Sequence, residues 1–258
     1  MTDATFKKSY RYNAHGHGLS AQFERPVQHL IEVQAAASLP TIGGHGNSRV
    51  NKFKFEEFVS FEAAYTHVSG SQNKADSSYT TLVTSTVEGL NILDVITADR
   101  IVARLSSEHP AENHEPEIIL LGSKLENLRI AGCPVEADLN HELFLRLNTF
   151  ASIRNELEKN AEFSKMSEDP YQTGQAQKPT GAREVVLCSL VKDMKTSCPG
   201  VKRHGHVFVV PQFGKIFVGE VMAKHGTRTL TMLRLELGSP VMSNASVAEV
   251  YVNGNTWP

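Results

Sequence analysis

Two closely spaced histidine pairs, among the eleven histidines of this 258-residue chain, have a spacing that suits metal binding. They are His15-Gly16-His17 near the start of the chain and His204-Gly205-His206 in its last quarter. Residues two apart on a β-strand point to the same face, so each pair can present two imidazoles to one ion. Four imidazole nitrogens suit zinc or copper, which predicts a metal site if the two pairs converge. Both pairs contain glycine, so the alternative is two surface turns with incidental histidines.

No catalytic motif accompanies these histidines. The sequence contains neither the G-x-S-x-G turn that exposes a nucleophilic serine nor the G-x-x-x-x-G-K loop that binds phosphate groups. Gly43-Gly44-His45-Gly46 resembles a phosphate-binding loop in glycine content, but no helix-forming segment follows it. The sequence therefore assigns no catalytic residue, and it favours a protein that is not an enzyme.

Charge and hydropathy restrict the partners and the compartment. The 26 Lys and Arg residues are balanced by 28 Asp and Glu residues, which gives a net charge of -2. A chain without excess positive charge has little with which to neutralise phosphates, and this disfavours nucleic acid as a partner. The N-terminus lacks the apolar run of a signal peptide, and no stretch approaches the roughly 18 apolar residues of a membrane span. We therefore expect a cytoplasmic protein with no membrane contact.

The three cysteines fit that compartment, because their number is odd and no two have CxxC spacing. Cys133 and Cys188 lie in apolar surroundings and are predicted to be inert core thiols. Cys198 precedes Pro199-Gly200 and is predicted to be exposed.

The elements that must position these side chains are mainly strands. Apolar and polar residues alternate, as in half-buried strands, through two blocks of the chain, residues 1–135 and 184–258. From about residue 140 to 165 the apolar positions instead recur at spacings of three and four, which predicts one amphipathic helix. These positions are Leu143, Leu147, Phe150, Ile153, Leu157 and Ala161.

Residues 166–183 contain prolines, glycines and glutamines without a hydrophobic period, and they are predicted to be a mobile linker. The whole pattern predicts a mainly β fold, an antiparallel sandwich or barrel. Helix and linker are then insertions into a single domain that spans residues 1–258.

Two strand-like stretches in the centre of the chain carry a resemblance to a known group of proteins. GLNILDVITADRIVA (Gly89–Ala103) and LENLRIAG (Leu125–Gly132) resemble sequences of bacterial proteins of the choice-of-anchor P type. The similarity covers roughly residues 80–135 and consists of a strand pattern. It implies an all-β fold and a structural or surface role, and it supplies no catalytic residues.

These observations together predict a non-enzymatic structural or binding protein that self-associates through strand edges into a homo-oligomer or a larger assembly. The only tryptophan, Trp257, lies in the C-terminal tail. It is predicted either to anchor that tail in a partner's groove or to belong to a frayed terminus.

Two alternatives from other classes remain open at this level. One is a metal-dependent enzyme or small-molecule-binding β barrel that uses His15, His17, His204 and His206, with zinc or copper as its cofactor. The other is a carbohydrate-binding sandwich, which requires aromatic side chains on an exposed face. Its candidates are Tyr10, Tyr12, Tyr65 and Tyr79, for which packing in the core is an equal explanation.

Overall fold

The computed structural model describes residues 10–110, 115–167 and 184–253. Most of these residues belong to strands that form two antiparallel sheets, as the sequence predicted. Residues 168–183 of the predicted linker and Trp257 lie outside the described ranges.

The strands and helices of the described ranges are numbered here in chain order. The strands before the helices are β1 Asn13–Arg25, β2 His29–Gln34, β3 Ala37–Ser38, β4 Gly44–Phe55, β5 Val59–Gln72, β6 Tyr79–Ile92, β7 Ile96–His109, β8 Glu117–Ile119, β9 Lys124–Glu126, β10 Arg129–Ile130 and β11 Cys133–Leu139. The helices are α1 His141–Arg146, α2 Phe150–Lys159 and α3 Ala161–Met166. The later strands are β12 Val185–Ser189, β13 Val191–Thr196, β14 Lys202–His204, β15 Val207–Val210, β16 Gly214–Lys224, β17 Thr227–Leu237 and β18 Met242–Asn253.

Of the strands that follow the helices, all but β13 belong to sheet 1. Sheet 1 has the strand order β14-β15-β16-β17-β18-β1-β2, with β12 paired to β16 and β3 paired to β1. Sheet 2 has the order β13-β11-β10-β7-β6-β5-β4, with β8 and β9 paired to β7. Among the described strands neither sheet closes on itself. The predicted sandwich is therefore confirmed, and the barrel alternative is not formed.

Sheet 1 brings together β1 and β18, the first and last of the described strands. β1 pairs with β18 from Asn13↔Asn253 to Arg25↔Met242, so strands from both predicted blocks lie side by side. The period-two pattern gives each strand one apolar face. In β17, for example, Leu233 and Leu235 are 0% exposed, whereas the intervening Arg234 lies half-buried on the opposite face. The apolar faces of both sheets contribute to one continuous hydrophobic core.

The predicted single helix over residues 140–165 is wrong in one respect, because the segment forms three short helices. Asn140 caps α1 by accepting a hydrogen bond from the backbone N–H of Leu143 at 3.2 Å. Thr149 caps α2, and Thr149 and Ser152 each accept a hydrogen bond from the backbone N–H of the other. Asn160 follows the last residue of α2, and its side-chain oxygen accepts hydrogen bonds from N–H groups in the first turn of α3. Side chains that cap a helix terminus compete with helix continuation, which breaks the segment at Thr149 and Asn160.

The apolar stripe of this helical segment is nevertheless buried as predicted, with one exception. Ala161 is exposed, and Phe163 is buried near it instead. None of the helices in the described ranges is long and apolar enough to cross a membrane.

Candidate functional site

The two histidine pairs lie in the same sheet but far apart within it. His15 and His17 are on β1, whereas His204 ends β14 and His206 lies in the turn before β15. Four strands, β15 to β18, separate β14 from β1. At a strand spacing of about 4.8 Å, the pairs are on the order of 20 Å apart. One chain therefore does not bring the four imidazoles to one ion, and the described ranges hold no group of three or more metal-ligating side chains.

His15 and His17 instead contact residues of the neighbouring strand β18. The His15 ring stacks on Tyr251 with centroids 4.7 Å apart, and His17 Nε2 lies 3.0 Å from the hydroxyl of Ser246. Burial lowers the pKa of both imidazoles, and the nearby Glu249 carboxylate partly opposes this shift. Both rings are therefore neutral at neutral pH, and they contribute stacking and hydrogen bonding to the outer face of sheet 1.

A charged network surrounds His206 on the same outer face. His206 Nε2 lies 3.4 Å from Glu220 Oε1, and Arg234 donates to both oxygens of Glu220 at 2.5 and 3.0 Å. Arg234 also donates to Glu236 at 2.5 Å and covers the Phe217 ring, 3.5 Å from its centroid. Burial acts to raise the pKa of Glu220, but the hydrogen bonds and charges of His206 and Arg234 outweigh it and lower that pKa. The network is a satisfied ion cluster that holds β15, β16 and β17 together.

Replacing Glu220 with glutamine tests this network. We expect Glu220→Gln to lower the free energy of unfolding at neutral pH by about 1–3 kcal/mol, because Arg234 loses its bidentate partner. A carboxyl with a lowered folded-state pKa stabilises above its unfolded pKa, and this stabilisation disappears as pH falls through the folded pKa. The difference between wild type and variant should therefore shrink in acid. Urea unfolding of both proteins at neutral pH and in acid measures this difference.

Glu236→Gln is the matched control for this prediction, since Glu236 also binds Arg234 but its side chain is 39% exposed. We expect a change within about 0.5 kcal/mol for this exposed pair. Equal losses in the two variants at neutral pH would contradict the assigned role of Glu220.

The outer face of sheet 2 carries a groove of ≈ 300 Å³. Its side chains form two rows across β5, β6, β7 and β8, namely Ser71-Thr80-Glu108-Glu117 and Ser69-Leu82-Ser106-Ile119. Arg104 lines one end of it, and Glu108 and Glu117 face each other across β7 and β8 at the other end. The groove therefore has hydroxyl groups in its middle, a positive charge at one end and two negative charges at the other.

The aromatic residues considered for carbohydrate binding are mostly in the core. Tyr10 and Tyr12 are 8% and 5% exposed, and Tyr10 stacks on Tyr79 with centroids 4.1 Å apart. Tyr65 alone lies on the outer face of sheet 2, where its hydroxyl donates to Glu88 and accepts from Arg100. Core packing is thus the explanation for three of the four, and no aromatic side chain lines the groove.

The open edges of the two sheets differ in how they are protected against pairing with another chain. The longest edge strand, β4, has exposed Arg49 and Lys54, and its ladder with β5 is interrupted at Lys52, whose φ is 55°. The edge strands β13 and β14 have the charged sequences VKDMKT and KRH. β2 exposes Leu30 and Val33, but its register shifts against β1. Charges, bulges and short length all hinder pairing at an edge.

The edge strand β12 lacks these protections. Its sequence, VVLCS, contains no charged residue and pairs with β16 in unbroken register from Val185↔Lys224 to Ser189↔Glu220. Val185 and Leu187 are 39% and 45% exposed. Among the described strands, nothing pairs with the other side of β12. β12 is therefore a regular, apolar strand edge that is open to a partner strand.

Two cysteines form a cluster that the sequence did not reveal. Cys133, predicted to be an inert core thiol, is instead half-buried and lies beside the half-buried Cys198. Cys188 is buried as predicted, and burial raises the pKa of its thiol to about 12. Only the pairing of β11 with β13 brings Cys133 and Cys198 together. The sequence could not indicate that these two cysteines are close, because strand order is not a local property of the chain.

Comparison with known proteins gives one match. The family model described as "Domain of unknown function (DUF8256)" matches residues 10–224. The chain belongs to the DUF8256 family. The matched residues end with β16, whereas β17 and β18 lie between β16 and β1, so sheet 1 of this family member is completed by residues beyond the match. No curated protein and no solved structure matches the chain.

Proposed function

We propose that this DUF8256 protein is a non-enzymatic structural or binding protein that self-associates by pairing the β12 strands of two copies. The observation that carries the proposal is the contrast between β12 and the other edges. β12 is regular, apolar and exposed, whereas β4, β13 and β14 carry charges and β2 and β4 are irregular. An unprotected edge is best explained by a strand that pairs there, since the edges at β2, β4, β13 and β14 are protected.

A two-fold axis through Leu187 gives the simplest closed assembly. Antiparallel pairing about this axis places Leu187 opposite its own copy and Val185 opposite Ser189, so the same surface serves both subunits. Sheet 1 then continues across the dimer. Five residues provide a small contact, so we expect a reversible dimer that dissociates on dilution.

Sedimentation velocity of the full chain, from micromolar to submillimolar concentration, tests this proposal. The expected result is a monomer–dimer equilibrium with no larger species, because pairing about the two-fold axis uses the β12 edge of both copies. A strict monomer over the whole range would contradict the proposal. A distribution of large oligomers would contradict the closed two-fold arrangement.

We place the protein in the cytoplasm within the same proposal. An odd number of cysteines without CxxC spacing supports this compartment. The balanced charge supports a protein partner over nucleic acid.

A second candidate function is the binding of a small zwitterionic ligand in the groove of sheet 2. Arg104 and Glu108 are four residues apart on β7, a separation of about 13 Å along a strand. This length matches a short unblocked peptide, with its carboxylate at Arg104 and its ammonium group at Glu108 and Glu117. The groove volume of ≈ 300 Å³ lies at the lower end of ligand sites.

Calorimetric titration with trialanine, with and without blocked termini, tests this second function. We expect weak binding of the unblocked peptide only, and a loss of at least about tenfold in affinity for Arg104→Gln, because that substitution removes the partner of the carboxylate. Arg146→Gln, an exposed arginine of α1 outside the groove, is the control. Equal binding of blocked and unblocked peptides, or none of either, would contradict this function.

A further inference from the structure

Cys133 and Cys198 lie just beyond the end of the paired stretch of β11 and β13. β11 pairs with β13 through Val135↔Thr196, Glu136↔Lys195 and Ala137↔Met194. In this antiparallel ladder each step back along β11 is a step forward along β13. Continuing it by two residues beyond Val135↔Thr196 places Cys133 opposite Cys198. Directly opposed residues on antiparallel strands have Cβ atoms about 4.5–5.5 Å apart, close to the separation that a disulfide requires.

The local backbone holds both residues in place. Cys133 begins β11 and pairs with Ile130 of β10. The N–H of Cys198 donates to Thr196 Oγ1 at 3.3 Å, and its carbonyl accepts from the N–H of Val201 at 3.3 Å. A pair of thiols on restrained backbone needs little movement to form a bond.

The Cys133 thiol affects the ionisation of Cys198. Burial raises the pKa of the Cys198 thiol, and the hydrogen bond and charge of Cys133 raise it further. Both residues are half-buried, so a small reagent can reach them. Cys188 is 2% exposed and lies on β12 in a different sheet, which makes it an internal control for non-specific oxidation.

We propose that Cys133 and Cys198 are a redox modification site that closes to a reversible intramolecular disulfide. The oxidant is a low-molecular-weight disulfide, RSSR. One thiolate of the pair attacks a sulfur of RSSR, which breaks the S–S bond and releases one thiolate RS⁻. The second thiolate then attacks the mixed disulfide at the protein sulfur and releases the other RS⁻. The two protons of the thiols are taken up by the two RS⁻ groups, so two protein thiols are oxidised and RSSR is reduced to two RSH.

The bond ties the edge of sheet 2 to the segment that leads into sheet 1. Cys198 lies in the chain between β13 of sheet 2 and β14 of sheet 1, and Cys133 begins β11, the strand between β10 and β13 in sheet 2. The closed loop contains all three helices. Closing a long loop restricts the unfolded chain, so we expect oxidation to raise the unfolding midpoint by about 5–10 °C.

Oxidation of the purified full chain with glutathione disulfide tests the site. We expect the intact mass to fall by two hydrogens and one thiol, that of Cys188, to remain for alkylation after unfolding. Peptide mapping should give a Cys133–Cys198 linked pair. Because the pKa of Cys198 is raised, bond formation should accelerate with pH, by up to about tenfold per unit.

Serine variants separate the proposed bond from other products. Cys133→Ser and Cys198→Ser should each stop at a mixed disulfide with glutathione and lose the rise in unfolding midpoint. Cys188→Ser should behave as wild type. Mixed disulfides on both Cys133 and Cys198 of the wild type, or a linked pair that includes Cys188, would overturn the proposal.

Discussion

We expect Leu187→Lys to make the protein monomeric at concentrations where the proposed wild-type dimer forms. In the paired arrangement the two copies of residue 187 lie opposite each other across the two-fold axis. The substitution removes an apolar contact and places two ammonium groups side by side, and such like-charge contacts cost several kcal/mol. An increase in the dissociation constant of at least about 100-fold follows from a loss of about 3 kcal/mol. Sedimentation velocity over the same concentration range measures it.

Leu145→Lys is the matched control for this substitution. Leu145 is 43% exposed, nearly the same as the 45% of Leu187, but it lies on α1 and not on a strand edge. This variant should dimerise as the wild type does. Both variants should keep the wild-type unfolding midpoint within a few degrees, since each replaces a partly exposed side chain. If Leu187→Lys remains dimeric, or if both variants lose the dimer, pairing through β12 is wrong.

Features that repeat along the sequence were predictable. The alternation in Thr229–Leu237 identified β17, because a strand that buries one face must alternate apolar and polar side chains. The stripe from Leu143 to Leu157 identified a helical segment by the same reasoning. Its division into three helices depends on Thr149 and Asn160, whose side chains bind backbone N–H groups at the start of the next helix. A capping residue inside an apolar stripe indicates a helix boundary, which the periodicity alone does not reveal.

Features that depend on which strands are neighbours were not predictable. The convergence of the two histidine pairs required β1 and β14 to be adjacent, but β15 to β18 lie between them. The contact between Cys133 and Cys198 required the register of β11 with β13. Strand order and register are fixed by packing of the whole core, and two residues distant in sequence carry no local mark of their proximity.

The protection of the strand edges could be predicted from the sequence only in part. The lysines of β4 and the apolar run of β12 are visible in the sequence, yet both look like ordinary strands there. Only the sheet order identifies them as edges and gives the lysines a role in preventing pairing. The proposed assembly therefore depends on two facts about β12. Its apolar composition is visible in the sequence, but its position at a sheet edge is visible only in the fold.

We expect Arg228→Met to stabilise the protein. Arg228 is 1% exposed on the inner face of β17, and only its Nη1 atom donates hydrogen bonds, to the carbonyl oxygens of Lys224 and Thr227. Its Nε and Nη2 atoms have no hydrogen-bond partner among the residues that the structure describes. Burial lowers the pKa of Arg228 to about 10, an effect only partly opposed by Cys188 and Glu115. The side chain is therefore charged at neutral pH in an apolar environment that disfavours its charge.

Methionine retains the volume of the arginine stem without the charge, so the packing of the core is kept. The lost hydrogen bonds offset part of the gain, and we expect the free energy of unfolding to rise by about 1–3 kcal/mol at neutral pH. Glu115 keeps its own partners, the N–H groups of Phe150 and Ala151 at the start of α2, so it is not left unsatisfied. Urea unfolding of the variant and the wild type at neutral pH measures the difference.

The pH dependence separates this cause from a general packing effect. A base with a lowered folded-state pKa destabilises the fold fully below that pKa, and the penalty is relieved as pH rises above it. The advantage of Arg228→Met should therefore be constant near neutral pH and decrease above about pH 10. Arg234→Met, on the same strand but bound to Glu220 on the opposite face, should instead lose stability. A loss in Arg228→Met as large as in Arg234→Met would mean that the buried charge of Arg228 contributes to the fold.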